Sequence, residues 1–164
     1  MTQSNDVFRT MSQEEAEAFL QEMRDELKPL YKQLERASAE TLRLRPVFLA
    51  KQPWGKRCGM IRKAMSLRVN ADAAAEVLAA FFMERYAEDV AALLDLLGVE
   101  HEEGVLSEMT PKQPTKAKLK AAVDKFRAGE NAPQRALLVK AFAAQGAVDW
   151  PHLDAMVFDL EEAK

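Results

Sequence analysis

The stretch KQPWGKRCGMIRKAMSLR, residues 51–68, concentrates the residue types that could do chemistry. It holds six cations, no carboxylate, Trp54 and the chain's single cysteine, Cys58. Arg43 and Arg45 extend it upstream, so residues 41–71 carry eight cations and no acid in a chain of formal net charge −3. Cations beside aromatic rings suit a phosphate backbone whose bases stack on the rings. On that reading Arg43, Arg45, Lys51, Lys56, Arg57, Arg62 and Lys63 are the candidate anion or nucleic-acid contacts. Trp54 is then a stacking platform, with Phe48 beside it, or else a core anchor. The competing reading is internal. Residues 72–108 carry ten carboxylates against one arginine and follow directly, so the cations are expected mainly to balance that acidic segment. Spacing favours the internal match: on a helix from 56 to 68, Lys56 and Lys63 share a direction while Arg62 points about 100° away, and no single cationic stripe forms.

Other chemistry is weaker. Cys58 lies beside Lys56 and Arg57, which would favour a thiolate, but His101 and His152, the two histidines, are far away in sequence and no base is at hand. An ordinary thiol is expected. Gly55 and Lys56 fail the phosphate-loop pattern, because Arg57 stands where serine or threonine would hold magnesium. A helix-turn-helix over 134–163 would put Asp154, Asp159, Glu161 and Glu162 against DNA phosphates. In VEHEE, residues 99–103, adjacent side chains cannot converge on one ion, and Asp149 with His152 is a single approximate copy of a pattern that di-metal bundles use twice. No catalytic residue, metal ligand or cofactor is assigned.

Composition sets the frame that must position these groups. At 164 residues, 48% hydrophobic and 30% charged, the chain has the balance of a globular protein with a core of its own. A single cysteine points to a reducing compartment, and no stretch approaches the roughly 18 apolar residues of a membrane span. A soluble cytoplasmic protein with no membrane partner is expected.

Helical periodicity runs throughout. Ser12 and Glu15 form a capping-box pattern, after which Ala16, Leu20, Met23, Leu27, Leu30 and Leu34 recur at spacings of four and three. Pro29 predicts a kink near Leu27 and Lys28. The segment VFLAKQ, between Pro46 and Pro53, has no secure assignment, and a short helix is expected after Gly59. Residues 71–97 contain no breaker before Gly98 and predict one long central helix, with Arg85 and Asp89 four apart as an intrahelical ion pair. Residues 98–114, with two glycines and two prolines, read as a linker, or as a loop tacked to the core by Val105, Leu106 and Met109. Three shorter helices follow. Thr115 caps the first, whose lysines solvate its flanks; Asn131 with Pro133 opens the second; Asp149 and Pro151 open the last, which turns Trp150, Leu153, Met156, Val157 and Leu160 inward.

The expected fold is therefore all-α, a helical bundle with a long central helix over 71–97 and a C-terminal three-helix unit. It is expected to divide into an N-terminal helical part, 12–97, the linker 98–114 and a C-terminal part, 115–164. With broad apolar faces and no convergent chemical site, the expected function is a non-enzymatic interaction or regulatory module that binds a protein partner or itself. The alternatives are a nucleic-acid or anion-binding protein using residues 43–68, and a small-ligand binder or enzyme with a site in the helical core.

Overall fold

The capping box at Ser12 forms as its spacing requires: Ser12 Oγ accepts from the Glu15 amide and Glu15 Oε1 accepts from the Ser12 amide, both at 3.0 Å. It opens α2 (Gln13–Glu26), which follows a short α1 (Ser4–Arg9). The computed structural model describes residues 2–107, 111–146 and 148–158. Met109, read as tacking the 98–114 loop to the core, and Leu160, placed inward by periodicity, lie outside the described residues, as do Asp159 and the last four residues.

Pro29 ends α2 where its geometry demands. Leu27 leaves helical conformation at φ −134°, and α3 (Lys28–Thr41) begins with the proline in its first turn. The unassigned VFLAKQ segment contains a one-turn helix, α4 (Pro46–Ala50), which buries Leu49 alone. Next comes α5 (Trp54–Met65), and it starts earlier than the glycines suggested. Gly55 and Gly59 do not break this helix; they let α2 come close. A Cβ at Gly55 would lie 2.8 Å from Glu17 Oε1, and one at Gly59 would lie 3.3 Å from Gln13 Oε1. A 3-10 turn (Arg68–Asn70) leads into α6 (Ala71–Arg85).

The helix expected to run unbroken over 71–97 is in fact two. Tyr86 sits at φ −137°, ψ 38°, between α6 and α7 (Ala87–Leu97). The break needs neither glycine nor proline, because the Tyr86 amide still donates to Phe82 O at 2.8 Å and Val90 still donates to Tyr86 O at 3.0 Å. Only one residue leaves the helix, and Glu88 and Asp89 in the new first turn suit the positive end of the α7 dipole. Gly98 closes α7 in the left-handed conformation, φ 70°, with Val99 donating back to Leu94 O. A tight hairpin follows, β1 (His101–Glu102) pairing with β2 (Val105–Leu106) through a turn at Glu103 and Gly104, both at positive φ. The C-terminal helices are α8 (Lys116–Arg127), capped by Thr115, α9 (Ala132–Ala143) and α10 (Pro151–Val157).

The chain divides into two compact units, residues 4–81, and residues 82–164 together with the first three. In the first, α2, α3 and α5 pack on one another, with α1 against α5 and α4 against α3. Phe19 is its aromatic centre, edge-on to Phe8 at 6.0 Å and to Phe81 at 4.6 Å. In the second, α7, α8 and α9 pack together and α10 lies on α9. Trp150 is buried there, edge-on to Phe142 at 5.3 Å, and its indole N–H donates to Pro111 O at 2.8 Å. No helix among the described residues is long and apolar enough to cross a membrane.

Candidate functional site

The basic segment separates into an inner and an outer set. Arg57 and Arg62, both on α5, turn inward. Arg57 donates from Nε and Nη2 to Gln52 O at 3.3 and 3.0 Å and lies 3.9 Å from Glu35 on α3. Arg62 Nη1 donates to Met11 O at 2.7 Å and so pins the turn between α1 and α2. Trp54 is half-buried beneath the Arg24 guanidinium, 3.9 Å from the ring centroid, with Arg57 at 5.5 Å and the Tyr31 ring 6.0 Å away. A ring already covered by a cation from α2 offers less to a nucleic-acid base.

Around these rings the buried polar groups are held neutral or paired. Glu35 falls on the buried stripe of α3 between Leu34 and Ser38. The Tyr31 hydroxyl is buried beside the Glu35 carboxylate and the Arg57 guanidinium, with no hydrogen bond of good geometry. Burial pushes its pKa up to about 12, with the neighbouring Glu35 adding to the rise. Cys58 is fully buried, and burial, reinforced by the charge of Glu17, pushes its thiol up to about 12 against the opposing pull of Arg24 and Arg57. A thiolate nucleophile is not what this environment produces.

Within the first unit, the described ion pair of the basic segment joins Arg57 to Glu35 on α3. Arg43, Arg45, Lys51, Lys56 and Lys63 are exposed. In the acidic segment, His101 Nε2 meets Asp95 Oδ1 at 2.7 Å while its Nδ1 accepts from the Gly104 amide at 3.1 Å, so both ring nitrogens are engaged in holding the hairpin. Spacing suggested Arg85 as the partner of Asp89; the carboxylate receives Arg135 Nε from α9 at 2.7 Å, a long-range contact.

The outer cations have apolar company. Val47 and Phe48 on α4 are 62% and 50% exposed, between Arg45 and Lys51. Val69 is 81% exposed, with Leu67 also exposed and Arg68 between them. A hydrogen bond from Asn70 Nδ2 to Thr41 Oγ1, 2.9 Å, ties this turn to the end of α3, two residues before Arg43. Beside it, Ala37, Glu40, Thr41, Val69 and Asn70 line an open cleft of about 410 Å³. The α3–α4 end of this unit is thus a surface of exposed apolar side chains set among arginines and lysines. Arg43, Arg45 and Lys51 were legible as charge and Phe48 as an available ring; Val47 and Val69 were not, because a one-turn helix and a 3-10 turn leave no periodicity to read.

The geometry describes an all-α protein with a mixed basic and apolar surface. Compared with known proteins, the chain matches no family model, no curated protein and no solved structure.

Proposed function

We propose that the protein is a non-enzymatic interaction module whose working surface is the α3–α4 end, and that it docks a protein segment bearing carboxylates beside apolar side chains. The observation that carries this reading is the exposure of Val47, Phe48 and Val69 within a stretch of eight cations and no acid. Exposed aliphatic groups gain little from phosphate, whereas they bury well against a partner's apolar side chains while the flanking arginines steer and orient its carboxylates. A nucleic-acid surface is less well supported. Arg57, Arg62 and Trp54 are engaged inside the unit, which leaves Lys56 and Lys63 as the exposed cations of α5.

A designed helical peptide of leucine and glutamate is the probe, and an oligothymidylate of similar charge is its control. In an amide-resolved NMR titration the peptide should shift residues 43–51 and 67–70 and saturate, with affinity falling as salt rises, while the oligonucleotide binds more weakly. The double variant Val47→Ser with Phe48→Ser should weaken the peptide at least tenfold. Saturable oligonucleotide binding with no response to the peptide would replace this reading with the phosphate one.

A further inference from the structure

The chain carries a second exposed apolar surface, and its charge is opposite. In the hairpin, Glu102 and Val105 are cross-strand partners and so project to the same side, with Glu100 two residues before Glu102 continuing that side. Glu100, Glu102 and Val105 are exposed, Val105 by 61%, whereas their alternates His101 and Leu106 are partly covered. Glu103 is exposed at the turn. Gly104 continues this surface. Its missing Cβ would lie 3.4 Å from Met83 Cε and 3.2 Å from Val90 Cγ1, so Met83, itself exposed, adjoins the turn. Glu84 and Glu88 are exposed nearby, with Arg85 the one cation among them. Val105 is one of the three residues that the loop reading tacked to the core; the hairpin register turns it to solvent while Leu106 is partly covered.

We infer that the partner of the basic and apolar α3–α4 end is a second copy of this chain, docked through the acidic and apolar face of its 100–105 hairpin. The inference rests on the reading given under Proposed function and names the occupant. Val47, Phe48 and Val69 on one side meet Val105 and Met83 on the other, and Arg43, Arg45 and Lys51 meet Glu100, Glu102 and Glu103. The chain supplies both halves of this match in equal amounts, with cations outnumbering Glu40 at the basic end and carboxylates outnumbering Arg85 on the acidic face. The two surfaces are different, so the contact is heterologous: each copy keeps one unused basic end and one unused acidic face, and association continues past a dimer into a ring or an open chain. Both patches are small, so the contact belongs to the weak, reversible class and depends on salt.

Sedimentation of the purified full chain tests this. At low salt the weight-average mass should rise with concentration from 18.4 kDa past twice that value, and fall back towards the monomer in about 0.5 M salt. Two variants should each lower association at least tenfold: Val47→Ser with Phe48→Ser, and Glu102→Ser with Val105→Ser. Mixed in equal amounts they should recover a complex that stops at two copies, because only one productive pair of faces remains. All four positions are exposed, so unfolding midpoints should stay unchanged; if the first variant is less stable, Arg45→Ser with Lys51→Ser replaces it. A wild-type chain that stays monomeric at low salt, or a mixture that recovers nothing, overturns the inference. If the leucine–glutamate peptide still binds residues 43–51 in that case, the surface serves another acidic partner; if the peptide fails too, both readings fall.

Discussion

At the residue scale, the chemistry of the basic segment is set by what burial does to each group. Tyr31 keeps its hydroxyl buried beside Glu35 and Arg57, and its pKa rises from 10.0 to about 12 because burial desolvates the phenolate, with Glu35 adding to the rise. The unfolded chain releases this proton two units earlier. Tyr31 therefore contributes stability that is complete below pH 10 and lost as pH climbs through about 12. Cys58 acts in the same direction from its own ordinary value of 9.0. Tyr31→Phe removes a buried hydroxyl with no hydrogen bond of good geometry and should change stability by no more than about 1 kcal/mol at pH 7. It should also flatten the fall in stability between pH 10 and 12 by about one proton, measured as denaturation midpoints across that range; an unchanged slope would mean that the hydroxyl is not the titrating group. The sequence disclosed part of this site. Glu35 was readable in principle, as a carboxylate on a stripe that also holds Tyr31, Leu34 and Ser38. Arg24 over Trp54 was not, since only tertiary packing brings α2 to α5.

At the element scale, caps and prolines were legible while helix interiors misled. Ser12 with Glu15, the break before Pro29, Thr115 and Gly98 act through local geometry that spacing alone determines. Gly55, Gly59 and Tyr86 do not. Gly59, read as the residue before a helix, lies inside it and is, like Gly55, a site of close approach, and a tyrosine inside a run of helix formers is where the helix turns. The glycines give a paired test. At Gly59 an added methyl meets only the end of the exposed Gln13 side chain, so Gly59→Ala should stabilise by about 0.5–1 kcal/mol by restricting the unfolded chain. Gly98 has open space around it but φ 70°, so Gly98→Ala should destabilise by about 1–2 kcal/mol from backbone strain alone. Thermal melts of the two variants should move in opposite directions. A loss at Gly59 would mean that the bond from Gln13 Nε2 to Gly55 O, 2.8 Å, cannot survive the adjustment.

At the scale of the whole molecule, the question is where one cooperative unit ends. Breaker composition pointed to residues 98–114, and much of that stretch is exposed hairpin that a Glu-specific protease should reach first, at Glu102 and Glu103. The packing draws a different line, between Phe81 and Phe82, because α7 belongs with the helices that follow it. Leu93, Leu94 and Leu97 are buried, α7 packs on both α8 and α9, and Asp89 on α7 holds Arg135 on α9. Removing α7 would expose three leucines' worth of core, at about 2 kcal/mol each, and leave Arg135 without its carboxylate. That exceeds what a fragment of some fifty residues can lose and stay folded. A recombinant chain of residues 82–164 should therefore melt cooperatively with helical circular dichroism, and a chain of residues 115–164 should not. If 115–164 alone retains full helicity and a sharp transition, α7 is dispensable and the boundary lies where the glycines and prolines placed it. If neither fragment folds, the 82–164 unit is not autonomous and draws its stability from the intact chain.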